Sequence, residues 1–247
     1  MRIQFRTLFA ICTALTACSL PTSAAADPGY YLVTPYSQPG QAGLDLRYWT
    51  VKAPGYEATL WPELGLRYGI NSRWTSELLL SYIGEMGSRQ TLSSVNWLND
   101  LMLTQGEHAF DLALHTQLIR NHDSDTHTAL ELGPALQTEW GHTQLNFNLF
   151  LEHDWGNDKG TQLKYQWQAL HRLKAGVRLG LQGFGELGNW SDWAPQNRQS
   201  HRAGPTLRLG LPLAGEQRSL NLQLAYLWGR VYGQSADMFS AQLLYSF

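Results

Sequence analysis

The chain has 247 residues and a net charge of −2, and only 15% of its residues are charged. So small a charge argues against nucleic acid or any other strongly charged partner. Beyond residue 26 no run approaches the roughly 18 apolar residues of a membrane helix, so any crossing of a bilayer must be made by a closed β-barrel. Aromatics make up 12% of the chain, with 10 Trp and 23 Gly, yet mean hydropathy is −0.30. Strands that alternate a lipid-facing and a lumen-facing residue average to that combination.

The chain starts with Arg2 and Arg6, an apolar stretch from Leu8 to Leu20, the helix breaker Pro21 and small residues at Ala24, Ala25 and Ala26. This is the layout of a secretory signal peptide cleaved after Ala26. Leu15-Thr16-Ala17-Cys18 also fits a lipobox, in which Cys18 becomes the acylated first residue. Cleavage after Ala26 removes Cys12 and Cys18, leaving no disulfide, zinc-thiolate site or cysteine nucleophile. A mature length of about 220 residues allows one domain. The division is then a signal peptide at 1–26, an N-terminal periplasmic segment at 27–42 and a barrel over 43–247.

Period-two alternation dominates the rest. In Gln144 to Glu152, Leu145, Phe147, Leu149 and Leu151 oppose Gln144, Asn146, Asn148 and Glu152. In 162–168, Leu163, Tyr165 and Trp167 oppose Gln162, Lys164, Gln166 and Gln168, and in 219–228, Leu220, Leu222, Leu224, Tyr226 and Trp228 oppose Asn221, Gln223 and Ala225. Strict alternation is the signature of a strand. Continued along the chain, it predicts strands over 43–52, 57–70, 73–83, 90–104, 108–120, 126–140, 142–154, 161–173, 175–188, 200–212, 218–230 and 237–247. That is an all-β, antiparallel transmembrane barrel of about 12 strands. Turn-like connections at Asn71-Ser72-Arg73, Gln105-Gly106-Glu107, Gly141-His142, Lys174-Ala175-Gly176 and 214–217 alternate with mostly longer ones at 84–89, 121–125, 155–160, 189–199 and 231–236. Short periplasmic turns, long extracellular loops and periplasmic termini follow.

The last segment ends on Phe247 with Leu243 and Tyr245 at alternating positions. It resembles the terminal β-signal recognised by the barrel-assembly machinery. Tyr48, Tyr68, Trp74, Tyr82, Trp140, Trp155, Trp190, Trp193, Trp228, Tyr232 and Tyr245 fall near strand ends, as aromatic girdles at the two membrane interfaces would.

Glu-Leu-Gly recurs at Trp61-Pro-Glu-Leu-Gly65, Leu130-Glu-Leu-Gly-Pro134 and Gly183-Phe-Gly-Glu-Leu-Gly188, followed by His201-Arg-Ala-Gly-Pro205. These motifs resemble a proteobacterial family of uncharacterised outer-membrane barrels, described as channels of the phenol meta-pathway degradation type. The resemblance implies location in the outer membrane, with its lipids and lipopolysaccharide as surroundings and a small solute as cargo. It implies no cofactor and no catalytic residue.

Alternation places Asp45, Glu63, Glu77, Asp100, Asp111, Glu131, Glu139, Glu152 and Glu186 on the inward face with Arg47, Arg67, Lys164, Arg178, Arg202, Arg208 and His115. A lipid-facing Arg or Lys near the midplane costs about 2–4 kcal/mol. The residues therefore read as a polar, mildly acidic conduit, or as wall-stiffening pairs such as Glu131 with Arg178. Inward Gly65, Gly133, Gly180, Gly204 and Gly210 suggest lumen space, and outward Pro62, Pro134 and Pro205 suggest bulges. The loop from Asn121 to His127 gathers His122, Asp123, Asp125 and His127, oxygen and imidazole donors for a divalent cation, although the composition is also that of a solvated turn. His127, His142, His171, His201, Ser191 and Ser200 are the side chains a lipid-hydrolysing barrel could use, but no nucleophile elbow accompanies them.

Overall fold

The computed structural model describes residues 31–122, 126–213, 218–231 and 233–247. The leader at 1–26, with Cys18, and Asp123, Asp125 and Tyr232 lie outside the described residues. Twelve strands follow in order: β1 (Ala42–Lys52), β2 (Thr59–Asn71), β3 (Trp74–Glu85), β4 (Thr91–Met102), β5 (Asp111–Asn121), β6 (Thr128–Trp140), β7 (Thr143–Asp154), β8 (Gln162–Lys174), β9 (Val177–Asn189), β10 (Ser200–Pro212), β11 (Ser219–Val231) and β12 (Gln234–Ser246). Each pairs antiparallel with its neighbours in sequence, and β12 returns to β1, closing the barrel and leaving no free edge. Among the described residues no helix is long and apolar enough to cross a membrane, which has no bearing on crossing by strands.

The alternation forms the strands because each residue type meets the surroundings it suits. On β7, Gln144, Asn146 and Asn148 are buried inside while Leu145, Phe147 and Leu149 are exposed outside. Leu66, Leu78, Trp97, Leu118, Leu181, Tyr226 and Trp228 extend the exposed apolar surface round the barrel. Soluble monomers rarely expose apolar patches above a few hundred Å², so the exterior suits lipid and the interior suits water. Tyr68 and Trp140 are exposed near one rim; Trp155, Trp190, Trp193 and Trp228 are exposed near the other.

The rim carrying Ala42 and Phe247 is the terminal rim; the opposite one is the loop rim. Their connections differ less in length than the sequence pattern predicts. The β4–β5 connection occupies 103–110 on the terminal rim, whereas on the loop rim β11 runs to Val231 and β12 starts at Gln234. In the first, Leu103-Thr104 has the composition of strand but folds back, its backbone and hydroxyl engaging Leu112. In the second, the stretch 231–236 reads as a loop in sequence, but the ladder continues through Arg230↔Ser235 and Val231↔Gln234.

The prolines introduce no bulge. Pairing of β2–β3, β6–β7 and β10–β11 resumes in the same register after Pro62, Pro134 and Pro205. Register shifts lie at Gly69/Asn71, Ser81/Tyr82, Leu163/Lys164 and Arg172/Lys174. Beside Pro134 and Pro205 the adjacent glycine lets the strands press together. A Cβ on Gly133 would stand 2.0 Å from the Leu149 carbonyl oxygen, and one on Gly204 2.0 Å from that of Tyr226. These glycines serve backbone approach rather than lumen width. Outward Gly183 and Gly185 are covered by their cross-strand partners Trp167 and Tyr165, which replace the missing apolar surface.

The segment before β1 departs most from expectation. Residues 31–36 lie inside the barrel rather than beyond its rim, with Tyr31, Leu32 and Val33 buried. The chain then passes Gly40, whose amide donates to the Gly69 carbonyl at 2.8 Å, and enters β1.

Candidate functional site

The lumen is the site that the fold builds. The structure places each of the sixteen sequence-derived residues at an inward position of its strand. Asp45, Arg47, Glu63, Glu77, His115, Glu131, Glu152, Lys164 and Arg202 are buried; Arg67, Asp100, Asp111, Arg178, Glu186 and Arg208 are half-buried; Glu139 is exposed at the terminal rim.

Closure of the sheet brings these side chains into separate groups. Arg47 meets Asp45 at 2.8 Å and Glu77 at 2.7 Å. His115 Nδ1 lies 2.6 Å from Asp100, and His115 Nε2 lies 3.8 Å from Glu131. Lys164 joins Glu131 at 3.1 Å and also pairs with Glu152. Towards the loop rim, Arg202 meets Glu186 at 2.6 Å, and Ser81 donates to Glu63 at 2.7 Å. The expected Glu131–Arg178 pair does not form, because Glu131 lies near the loop-rim end of β6 and Arg178 near the terminal-rim end of β9. Arg178 instead reaches Glu139 at 3.2 Å and donates to Gln144.

The inward charges are therefore gathered into groups along the polar lumen. The carboxylates of the middle and loop-side lumen are engaged by basic or hydroxyl partners, whereas Arg67, Arg178 and Arg208 gather towards the terminal rim. Apolar side chains share the loop-side half. Trp49 and Trp61 stack with ring centroids 3.9 Å apart, against a cluster containing Phe184, Leu227 and Met238. Alternation predicts the inward position of this pair, but contact depends on the direct β1–β2 register.

The sequence reading missed the lumenal occupant, residues 31–36. The Tyr31 ring lies 3.6 Å beneath the Arg47 guanidinium, a cation–π contact, and its hydroxyl donates to Gln117 at 3.3 Å. The Val33 amide donates to Gln166 at 3.2 Å, and Asn148 donates to the Val33 carbonyl at 2.9 Å. Gln137 donates to the Tyr36 hydroxyl, while Arg67 donates to the Tyr36 carbonyl at 3.1 Å. Wall amides thus satisfy an extended segment that no strand pairs. The available signal was the apolar run Tyr30-Tyr31-Leu32-Val33 in a stretch otherwise suited to solvent.

Beside this segment lie cavities of about 60 Å³ at Tyr31, Arg47 and His115, about 230 Å³ at Thr34, Arg67 and Arg208, and about 410 Å³ at Arg178 and Gly210. The cation-loop donors are dispersed where described. His127 Nε2 lies 3.1 Å from Asp154 and 3.0 Å from Asn121, and no group of three metal-ligating residues occurs among the described residues. The histidines considered for hydrolysis have other partners: His201 contacts Tyr165 and Gln199, His171 contacts Thr143, and His142 contacts Arg172. Ser191 turns to Asn189. Leu243 and Tyr245 project outward on β12, and the Phe247 amide and carbonyl bond to Ala42, so the expected assembly motif forms the closing seam.

The comparisons with known proteins agree on architecture. No protein-family model matches the sequence, and no curated protein matches it. The COG4313 outer membrane channel from Pseudomonas putida F1 superposes with a TM-score of 0.59 at 13% identity, over 90% of this chain and 100% of that one. The KdgM porin in complex with disordered oligogalacturonate gives 0.58 at 7% identity, over 83% and 99%. The NanC porin gives 0.54 at 11% identity, over 82% and 98%. The likeness is one of fold.

Proposed function

We propose that the protein is a passive outer-membrane channel for small solutes, held closed by its own N-terminal segment. The observation that carries this reading is the passage of residues 31–36 through a polar lumen on wall side-chain contacts. Such contacts exchange with water at a net cost of roughly 1 kcal/mol each, whereas a paired strand is bound by a continuous ladder. The apolar exterior contacts outer-membrane lipid and lipopolysaccharide, and the β12 seam with Leu243, Tyr245 and Phe247 addresses the barrel-assembly machinery. The leader directs export and is removed by cleavage after Ala26. The fold shared with outer-membrane porins and channels supports the reading. An aromatic or hydrophobic cargo, as in the phenol meta-pathway type, rests on the resemblance of the Glu-Leu-Gly motifs.

Planar-bilayer conductance and liposome swelling test the proposal on the full chain and on a variant lacking residues 31–36. The full chain should conduct little, and the deletion should raise conductance several-fold. A folded barrel that passes neither ions nor solutes in either form overturns it. The second reading, a structural barrel with a permanently occluded lumen, is favoured by the buried Glu131–Lys164–Glu152 group and predicts that outcome.

A further inference from the structure

Arg178 on β9 and Arg208 on β10 are direct cross-strand partners, both facing inward. Like charges placed directly opposite destabilise a sheet. Arg178 has Glu139 and Gln144 as partners, but no carboxylate among the described residues pairs with Arg208, whose other neighbour across the sheet is Gln223. Arg67 lies opposite Glu77, but Glu77 is engaged by Arg47, and Arg67 donates to the Tyr36 carbonyl instead.

Arg67 and Arg208 also line the cavity of about 60 Å³, where Glu77 and Asp100 are turned to Arg47 and His115, but the larger spaces beside them carry little negative charge. The cavity of about 230 Å³ has Arg67 and Arg208 in its wall together with Thr75, Ser219, Asn221 and Ser246, and no Asp or Glu. It has room for several waters, each with a liquid share of roughly 30 Å³. The adjoining cavity of about 410 Å³, which shares Tyr36, Arg208 and Asn221 with it, adds Arg172 and Arg178 and one acid, Glu139, already spent on Arg178.

Resting on the channel reading, we propose that the terminal half of the lumen is a binding site for small carboxylate solutes, with Arg67 and Arg208 as its cationic groups. A guanidinium fork matches a carboxylate in charge and geometry, and hydroxyl and amide groups in the same wall can donate to its remaining lone pairs. A bound anion also relieves the Arg178–Arg208 repulsion. The site narrows the cargo from small solutes in general to anionic ones, including aromatic acids.

The test uses the full-chain protein folded in detergent, with sodium benzoate as probe and benzamide as its neutral counterpart, at constant ionic strength. Benzoate should raise the thermal unfolding midpoint of the wild type and benzamide should not. In the double variant Arg67→Gln/Arg208→Gln, the apparent affinity for benzoate should fall at least tenfold. Arg208→Gln alone should raise the midpoint in the absence of benzoate, since it removes a like-charge pair; a merely structural arginine would lower it. Should Arg208→Gln not fold, as judged by the heat-modifiable gel shift, Arg67→Gln gives the affinity comparison. An equal benzoate response in wild type and variants, or an equal response to benzamide, overturns the site. A barrel that binds benzoate but never conducts removes the channel and keeps the site. One that conducts without a benzoate response does the reverse.

Discussion

The two halves of the lumen solve the same problem in different ways. On the loop side, Arg202 is matched with Glu186, Lys164 with two carboxylates, and Trp49 stacks on Trp61. On the terminal side, the chain's own residues 31–36 fill part of the bore, cavities remain and Arg208 faces another arginine. Opposite charges on neighbouring strands tie the wall together, whereas unmatched charge beside a cavity leaves room for a solute. On the proposed channel reading, the difference separates a part of the barrel that maintains shape from one able to exchange its contents.

Four substitutions would break or sharpen that contrast. Lys164→Ala leaves Glu131 and Glu152 buried together without their cation and should cost about 3–5 kcal/mol of stability, read from denaturant unfolding in detergent. Trp49→Ala empties half of a stacked pair and should cost a comparable or slightly smaller amount, roughly 3–4 kcal/mol; little loss there would mean that the loop-side cluster is not structural. On the terminal side effects should be smaller. Tyr31→Phe keeps the ring under Arg47 but removes the bond to Gln117, for about 1 kcal/mol, and should raise conductance slightly by loosening residues 31–36.

The smallest effect belongs to the rim. A backbone bond from Gln105 and the neighbouring Arg73 hold the exposed Glu107 carboxyl below its ordinary range. A depressed carboxylate contributes stability above its unfolded-state range and loses it as pH falls through its folded-state range. Glu107→Gln should therefore be slightly less stable than wild type above the ordinary carboxylate range, with the difference vanishing in acid. Thermal scans across that interval check it, and a difference persisting in acid would refute the ion-pair account.

Alternation was a dependable guide to facing because it is local. Gln144, Asn146 and Asn148 take the inner face of β7, and Leu243 and Tyr245 the outer face of β12, whatever strands lie beside them. Connections were less legible: the strand-like Leu103-Thr104 folds into a loop, and the loop-like 231–236 is mostly ladder, since hydrogen-bond partners rather than composition decided each. Pairing was not legible at all. Glu131 could have met Arg178 or Lys164 on alternation alone, and the register of β6 through β8 chooses Lys164.

The sequence by itself determined a strand-rich chain with one apolar and one polar face, because a period of two is written residue by residue and burial enforces it. Only the tertiary structure decided what the polar face encloses. Ring closure sets which charges meet, and it makes a cavity deep enough for residues 31–36, where the Val33 amide and carbonyl are satisfied by side-chain amides on β7 and β8 that lie more than a hundred positions away in the chain.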